Sequence, residues 1–470
     1  MDQIRIKTHC KKMLADLNTP VSIYLRIRDQ FPGSVMLESA DSNAGKNSFS
    51  YIAIKPIAGM EINKNRLEYK YPGNKEIGEP IGNKDEAPEK LMNFIRSFTS
   101  EGNSPVSVSE SFFGYTAYES IRFFETLDLD NDGKEKPEIP LLRYRLYQYV
   151  IAIDHFKNEL YLCENQVEEE DSEFDQIETL ILQKDCPTYP FETVGGEKSN
   201  MTDEDYRQIV QKCIAHCHRG DVFQIVPSRS FKQEFKGDEF NVYRTLRSIN
   251  PSPYLFYFDY GNYKIMGSSP ESQLIVEGNK AVIHPIAGTV KRTGNEEEDK
   301  AAVERLVNDE KENAEHVMLV DLARNDMSRF AKNVHVSEYR QVHSYSHVIH
   351  LVSEVTGEIP DGANPFKLLA ASFPAGTLSG APKYKAMELI RDYEASKRGF
   401  YAGCVGSVGL NGDFNHAIMI RSFLSKHNNL RYQAGAGVVS RSVPENELQE
   451  VNNKLNALKQ AIVQANKLNS

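Results

Sequence analysis

Residues 254–288 read YLFYFDYGNYKIMGSSPESQLIVEGNKAVIHPIAG. Four short runs rich in Tyr, Phe, Val and Ile (YLFYFDYG, YKIMGSS, SQLIVEG and KAVIHPIAG) are punctuated by Gly, Asn, Ser and Pro. β-Branched and aromatic residues suit a pleated, half-buried surface and the punctuators make turns, so the stretch predicts antiparallel strands joined by hairpin-like turns. Helical patterns return at 298–323, 363–372, 382–395 and 446–465, which predicts an α+β fold. Upstream, Thr202 to about Arg219 predicts a helix capped by Thr202, with Asp205 standing where a capping box usually has Glu. The charged run ENQVEEEDSEFDQIE (164–178) predicts a surface helix, and PTYPFETVGGEKSN (187–200) a connector into the second half. Residues 1 to about 155 read as mixed strands and helices.

The 470 residues exceed a usual single-domain length, yet no long Pro/Gly/Ser linker divides them, so one or two intimately packed units are expected. The balance of 55 basic and 66 acidic residues gives a net charge of −11, and the cations are scattered, which argues against nucleic-acid binding. Six cysteines occur without metal-ligand spacing; Cys213 and Cys217, although close to His216 and His218, sit in a helical pattern and read as partly buried thiols. No apolar run approaches the roughly 20 residues that span a bilayer, and the amino terminus MDQIRIKTHCKK lacks the apolar core of a signal peptide. The expected location is the cytoplasm.

Two Glu-x-x-Glu pairs carry the first chemical signal: Glu312/Glu315 in DEKENAEHVMLVDLARND and Glu447/Glu450 in PENELQEVNNK. Positions i and i+3 share a helix face, so each pair can aim two hard oxygen ligands in one direction. Either pair taken singly reads equally as a solvated face. Their neighbours weigh against that: Glu312 and Glu315 head a row continuing through Leu319 and Leu322, and Glu447, Glu450 and Lys454 flank the stripe Leu448, Val451, Leu455, Leu458 and Ile462. Carboxylates directed toward an apolar seam must be paired or bind metal, and Mg²⁺ takes one or two carboxylates while keeping several waters. The expectation is direct ligation by Glu315 and Glu450, with Glu312 and Glu447 holding metal-bound water.

The loop FPAGTLSGAPK (373–383) precedes a helix with Pro382 near its first turn. Gly376 and Gly380 would admit a ligand close to the backbone, and Thr377 and Ser379 would add donors for an anion. QAGAGVV (433–439) supplies further glycines, and Arg421 ends the apolar run HAIMIRS, where it serves either a planar dianion or a structural salt bridge.

Together these segments resemble one family, the chorismate-utilising enzymes, and within it the anthranilate synthase component I branch. The resemblance rests on GDVFQIVPS, NPSPYLFYF, GSSPES, HPIAGT, DEKENAEHVMLVDLARND, FPAGTLSGAPK, AIMIRS and AGAGVVSRSVPENELQEVNNK, in the family's order and spacing. It implies an antiparallel β-sandwich with helices packed outside and an Mg²⁺-dependent site for chorismate, a small diacid. It implies an amino-terminal region, 1–165, with a tryptophan feedback site, and a chorismate-binding catalytic domain, 199–465, with the sheets shared between them.

Residue by residue, the resemblance puts Glu315 and Glu450 on Mg²⁺ with Glu312 and Glu447 in support. Tyr401, Arg421, Thr377, Lys454, the backbone of Gly435, Ala436 and Gly437, and the amides of Gly288 and Thr289 match positions that contact the substrate's carboxylates. Glu271 matches the general acid that protonates the departing ring hydroxyl, a role that needs a carboxyl still protonated near neutrality; without the family it reads as a surface Glu. His350 matches a histidine that assists pyruvate elimination, or is a satisfied core residue. Gln224 stands where water-using relatives carry a Lys base, and an amide cannot accept that proton, so ammonia is the implied nucleophile. Ala287 stands where aminodeoxychorismate synthases carry a nucleophilic Lys, so the implied addition is direct. Both positions also fit ordinary core residues.

For tryptophan, MLESADS (36–42) and NPSPYL (250–255) supply Glu38, Ser39, Pro253, Tyr254 and Leu255, although residues 41–50 depart from the family pattern. No glutaminase nucleophile is recognisable in the chain. The implied partner is therefore a separate glutamine amidotransferase subunit (component II) in a heterotetramer, delivering ammonia, with free ammonia as an alternative source. Two other readings fit less well: an aminodeoxychorismate synthase component I, and a noncatalytic tryptophan-binding regulatory subunit.

Overall fold

A computed structural model describes residues 3–39, 48–82, 86–102, 104–127, 129, 133–135, 138–167, 171–344 and 348–468, with the backbone alone at 289, 291 and 311. A long antiparallel ribbon, Phe49–Asn63 against Leu142–Asp154, runs through its centre. The register shifts between Pro56 and Ala58, and Lys55 adopts φ 60°. Pro56 offers no ladder donor, and a bulge of this kind lets one ribbon belong to two sheets.

One half of the ribbon pairs with Val35–Glu38. From there a sheet continues through Tyr254–Asp259, Tyr263–Ser269, Ser422–Lys426, Asn429–Gly435 and Ser228–Gly237 to Phe191–Ser199. The other half leads through Ser111–Thr116, Cys404–Gly409, Phe414–Ile418, Ser272–Glu277 and Lys280–Ile283 to Val348–Glu358. Ile286–Lys291 and Lys332–Ser344 also pair with that last strand.

Between the sheets lies a core drawn from both, including Val35, Ala53, Phe113, Tyr115, Phe256, Phe258, Val405 and Leu424. A second core lies under Asp203–Arg219, Phe240–Ile249 and Pro444–Ala465, and a third under Glu86–Arg96, Glu310–Ser328 and Pro365–Ser372. Helices thus cover the outer faces of a β-sandwich, the α+β arrangement expected. Each fully buried Leu, Ile or Phe contributes on the order of 1.5–3 kcal/mol, which places most of the stabilisation in these three layers. The stripe Leu448, Val451, Leu455, Leu458 and Ile462 is buried, and Thr202 and Asp205 form the anticipated capping box.

Other local readings change. The first residues of the charged run, Glu164 and Asn165, end a strand and are buried, accepting from Tyr149 and donating to Ser109 and Tyr147 respectively; the helix occupies only Phe174–Leu182. The connector is an edge strand, Phe191–Ser199: backbone pairing with Ser228–Gly237 sustains it without an apolar alternation. The helix expected at 298–323 is two, Glu296–Asn308 and Glu310–Ser328. Cys10 and Cys163, directly opposed on Ile4–Leu14 and Glu159–Gln166, form a disulfide, a pairing the spacing did not announce. Among the described residues no helix is long and apolar enough to cross a membrane.

Candidate active site

The opening stretch holds a feature that its periodicity conceals. Tyr263–Ser269 belongs to the first sheet and Ser272–Glu277 to the second, so Pro270 and Glu271 mark a crossover rather than a hairpin. The chain crosses back between Phe414–Ile418 and Ser422–Lys426, at Met419 to Arg421. The two crossovers bond to each other: Ile418 N–H donates to Glu271 O at 3.0 Å, and Ser268 N–H to Arg421 O at 3.1 Å. Arg421 takes the left-handed φ of 48° there, which breaks the extended backbone between the two ladders.

Glu271 is buried, and its Oε1 accepts the Thr377 hydroxyl at 2.9 Å. Burial pushes its carboxyl up to about 7, against the pull of the Thr377 donor and the cations Lys454 and Arg421. Burial lowers the Arg421 guanidinium from its ordinary range, and Glu271 partly offsets that. Among the described residues no hydrogen bond or ion pair reaches the Arg421 guanidinium. A half-buried cation beside a carboxyl that still holds its proton at neutrality is suited to a carboxylate ligand.

At both glycines of the loop around Thr377, protein atoms fill the place of a side chain. A Cβ on Gly376 would meet Leu322 Cδ2 at 2.0 Å, and one on Gly380 would meet Gln224 O at 2.2 Å. Gly380 and Ala381 pair with Ile225 and Gln224 in a short two-stranded ladder, which fixes Gln224 relative to Thr377. Ser379 Oγ donates to Ala375 O, so it is not the free anion donor expected from the sequence.

Gln224 is buried and donates from Nε2 to Glu315 Oε1 at 3.1 Å. Gly437 lies against both, its missing Cβ 2.5 Å from Gln224 Nε2 and 3.7 Å from Glu315 Oε1. Gly288, at φ 74°, similarly faces Glu312 Oε2, 3.4 Å from where a Cβ would stand. On the second helix Glu450 Oε1 pairs with Lys454 Nζ at 2.7 Å, and Lys454 also donates to Gly435 O at 3.0 Å. Glu447 is 3% exposed. Glu315 thus lies beside Gly437, and Glu450, from the other helix, is linked to Gly435 through Lys454.

Among the described residues no three carboxylate, thiol or imidazole groups converge as a ready-made metal site. The donor chemistry still fits Mg²⁺, which needs only one or two carboxylates and completes its shell with water and substrate oxygens. Glu315 and Glu450 could each offer carboxylate oxygens to such an ion.

Tyr401 is buried with its hydroxyl held above its usual range by burial. His350 is buried on Val348–Glu358 opposite Thr289, and burial together with Arg421 lowers its imidazole to about 4, so it is neutral at physiological pH. Ala287 is buried in Ile286–Lys291, one residue before the bulge at Gly288. Far along the first sheet, Glu38 pairs with Leu255 across the strands. Its buried carboxylate accepts Tyr243 OH at 2.7 Å and Arg247 Nε at 3.0 Å. Ser39, Pro253 and Tyr254 are half-buried around it, and residues 40–47 lie outside the described residues. Tyr243 and Arg247 escaped the sequence reading, because nothing in Phe240–Ile249 marks them apart from an ordinary amphipathic helix.

A family model for chorismate binding enzymes matches residues 39–460. The chain belongs to the chorismate binding enzyme family. Relatives of this family member include anthranilate synthase component 1 of Aquifex aeolicus, 36% identical over 96% of this chain and 93% of that one. The Thermus thermophilus protein of the same description is 35% identical over 98% and 99%. The crystal structure of anthranilate synthase component I from Streptococcus pneumoniae superposes with a TM-score of 0.75, at 30% identity, covering 95% of this chain and 99% of that one. A menaquinone-specific isochorismate synthase from Escherichia coli, at 17% identity and a TM-score of 0.73 over 98% and 95%, shares the fold. This chorismate binding enzyme therefore stands with the anthranilate synthase component 1 group.

Proposed function

We propose that the chain converts chorismate and ammonia to anthranilate, pyruvate and water, as the large component of an anthranilate synthase. The observation that carries this reading is Glu271: a buried carboxyl protonated to about pH 7, aligned by Thr377 and flanked by Arg421. A group of that kind can donate to a leaving hydroxyl at neutral pH. Arg421 and Lys454 hold the substrate's carboxylates, with the backbone of Gly435 to Gly437 and of Gly288 and Thr289, and Tyr401 closes the pocket. Ammonia adds at C2 while Glu271 protonates the departing C4 hydroxyl, which leaves as water. Proton loss from C2 and cleavage of the enolpyruvyl ether then give the aromatic amine and pyruvate.

Gln224 supports ammonia over water as nucleophile, since a side-chain amide cannot take up a proton at neutral pH and so cannot serve as the base that water would need. Ala287 supports direct addition, since it cannot form a covalent adduct. His350, neutral in its buried setting, is available as a proton acceptor or donor in the elimination step. Bound Mg²⁺ would supply charge neutralisation for the ring carboxylate, held by Glu315 and Glu450 with Glu312 and Glu447 behind them. Glu38, Ser39, Pro253, Tyr254 and Leu255 form the tryptophan inhibition site in this reading, in the amino-terminal region 1–165 and its contact with the catalytic region 199–465. A glutamine amidotransferase subunit delivers ammonia within a heterotetramer, in the cytoplasm.

The test is fluorescence of the protein with chorismate, MgCl₂ and an ammonium salt, followed by chromatography of the product. Anthranilate that requires both Mg²⁺ and ammonium supports the reading. A para-amino product, salicylate formed without ammonium, or no turnover overturns it.

A further inference from the structure

Several chain segments that build the site meet at one buried ion pair outside it. Arg398, 1% exposed, bonds Glu394 through Nη2 at 2.6 Å and through Nε at 3.0 Å. Its Nη1 donates to the carbonyl of Leu378 at 2.7 Å, the residue after Thr377. Its Nη2 also donates to the carbonyl of Val226 at 2.7 Å, two residues after Gln224. Glu394 Oε1 in turn accepts the N–H of Ser228 at 2.9 Å and its hydroxyl at 2.6 Å, and Ser228 pairs with Gly435 in the sheet. The Arg398 guanidinium carbon lies 5.6 Å from the Tyr401 ring centre and 4.8 Å from that of Tyr118. Glu119, buried beneath, accepts the backbone N–H of Arg398 at 2.9 Å.

The planar fork of arginine, with five N–H donors, is what allows one side chain to bind a carboxylate and two carbonyls from distant parts of the chain at once. A lysine would keep the charge and lose the fork. Stability alone does not call for such a pair, since buried ion pairs exchange for packed apolar residues with little net cost. What the pair does supply is a fixed distance between the Thr377 loop, the Gln224 strand, the glycine run and Tyr401.

We propose that Arg398 is a positioning residue: with Glu394 as counter-ion, it holds the Thr377 hydroxyl against Glu271 and keeps the Gln224 strand and Tyr401 in place around the same substrate. This rests on the reading of Glu271 as the general acid. Neither Arg398 nor Glu394 touches the reacting atoms.

The experiment measures kcat and kcat/KM for chorismate against pH, at fixed free ammonia and saturating MgCl₂, for the wild type, Arg398→Lys, Thr377→Val, their double variant and Glu271→Gln. Displacements of about 1 Å can cost about a hundredfold in rate, so Arg398→Lys is expected to lower kcat by roughly 10- to 100-fold. The Thr377 donor pulls the Glu271 carboxyl down, so loosening it moves the alkaline limb of the profile to higher pH. Arg398→Lys and Thr377→Val should move that limb in the same direction, and the double variant no further than Thr377→Val alone. Glu394→Asp, which keeps the charge and shortens the reach, should repeat the shift and serves if Arg398→Lys does not fold. An unmoved limb in a folded Arg398→Lys or Glu394→Asp variant, or a fully additive shift in the double variant, overturns the proposal. Wild-type turnover by Glu271→Gln would instead overturn the acid assignment itself, so the two failures are told apart.

Discussion

Two buried neighbourhoods in this molecule contain one glutamate and one arginine each, and they are built to opposite specifications. At Glu394 and Arg398 the pair closes on itself: the carboxylate takes Arg398 and Ser228, and the guanidinium takes two carbonyls besides. At Glu271 and Arg421 the carboxyl has a single hydroxyl donor in the Thr377 side chain, and the guanidinium has no bonded partner among the described residues. In the closed pair each group finds its partners in the other and in the surrounding backbone. The open one holds its glutamate's titration up at about 7, because burial without a bonded cation favours the protonated form, and leaves its arginine ready for an anion. The difference teaches that burial alone does not decide what an acidic residue does; the count and charge of its donors do.

Glu271→Gln tests the open neighbourhood most severely. It preserves shape and removes the transferable proton, so kcat should fall by about 10²–10⁴-fold, the usual contribution of a general acid, with the circular dichroism spectrum unchanged. Retained turnover would erase the functional half of the contrast. Stability should change in the other direction. A folded carboxyl that titrates near 7 and an unfolded one near 4.3 mean that the folded state binds the extra proton between those values, so Glu271 makes the fold progressively less stable as pH rises through that window. Removing it should leave the variant more stable than wild type at pH 8, by about 4 kcal/mol at most, and indistinguishable at pH 4; denaturant midpoints at the two pH values check the sign.

Glu394→Gln is the matching probe of the closed pair. It leaves a buried guanidinium without its counter-ion, for which losses of about 3–5 kcal/mol are usual. The denaturant midpoint should therefore fall at pH 8, where that of Glu271→Gln rises. Two isosteric Glu→Gln changes with opposite signs at the same pH would confirm that the neighbourhoods are of different kinds. Equal signs would dissolve the distinction.

How much of this was legible in the sequence follows from the range of the interactions involved. Strand-forming composition located the runs from Tyr254 to Ile283, and helical periodicity located the buried face of Pro444–Ala465, because both patterns are local. Periodicity says nothing about which sheet a strand joins. Ser-Pro-Glu at 269–271 therefore read as a turn, when it is the step between sheets that buries Glu271. What crowds Gly376 and Gly380 was hidden for the same reason: the atoms that exclude a Cβ there belong to Leu322 and Gln224, far away in the chain. The Glu394–Arg398 spacing of four residues was visible but unremarkable, since it matches any exposed helical ion pair. Its meaning comes from the carbonyls of Val226 and Leu378, which only the folded chain brings to it. Arg421 stood out locally as a cation ending an apolar run, whereas Glu271 was named only by the resemblance to known chorismate enzymes, and neither came with its geometry.

The smallest expected effect is the most discriminating for the open neighbourhood. Thr377→Val replaces a hydroxyl with a methyl of similar shape, so packing against the loop survives and only the donor to Glu271 Oε1 is lost. A hydrogen bond to a carboxyl that is exchanging its proton favours the ionised form, so its removal raises the titration point above about 7. Two consequences oppose each other. More Glu271 is protonated at pH 8, which favours the acid role, while its orientation toward the leaving oxygen is less constrained, which disfavours it. The net change in kcat at pH 7 should be within about tenfold, and the alkaline limb should shift upward by less than one pH unit, corresponding to the roughly 1 kcal/mol of a single hydrogen bond. A downward shift would mean that Thr377 accepts from a protonated Glu271 rather than donating to it, and the open neighbourhood would then resemble the closed one more than its geometry suggests.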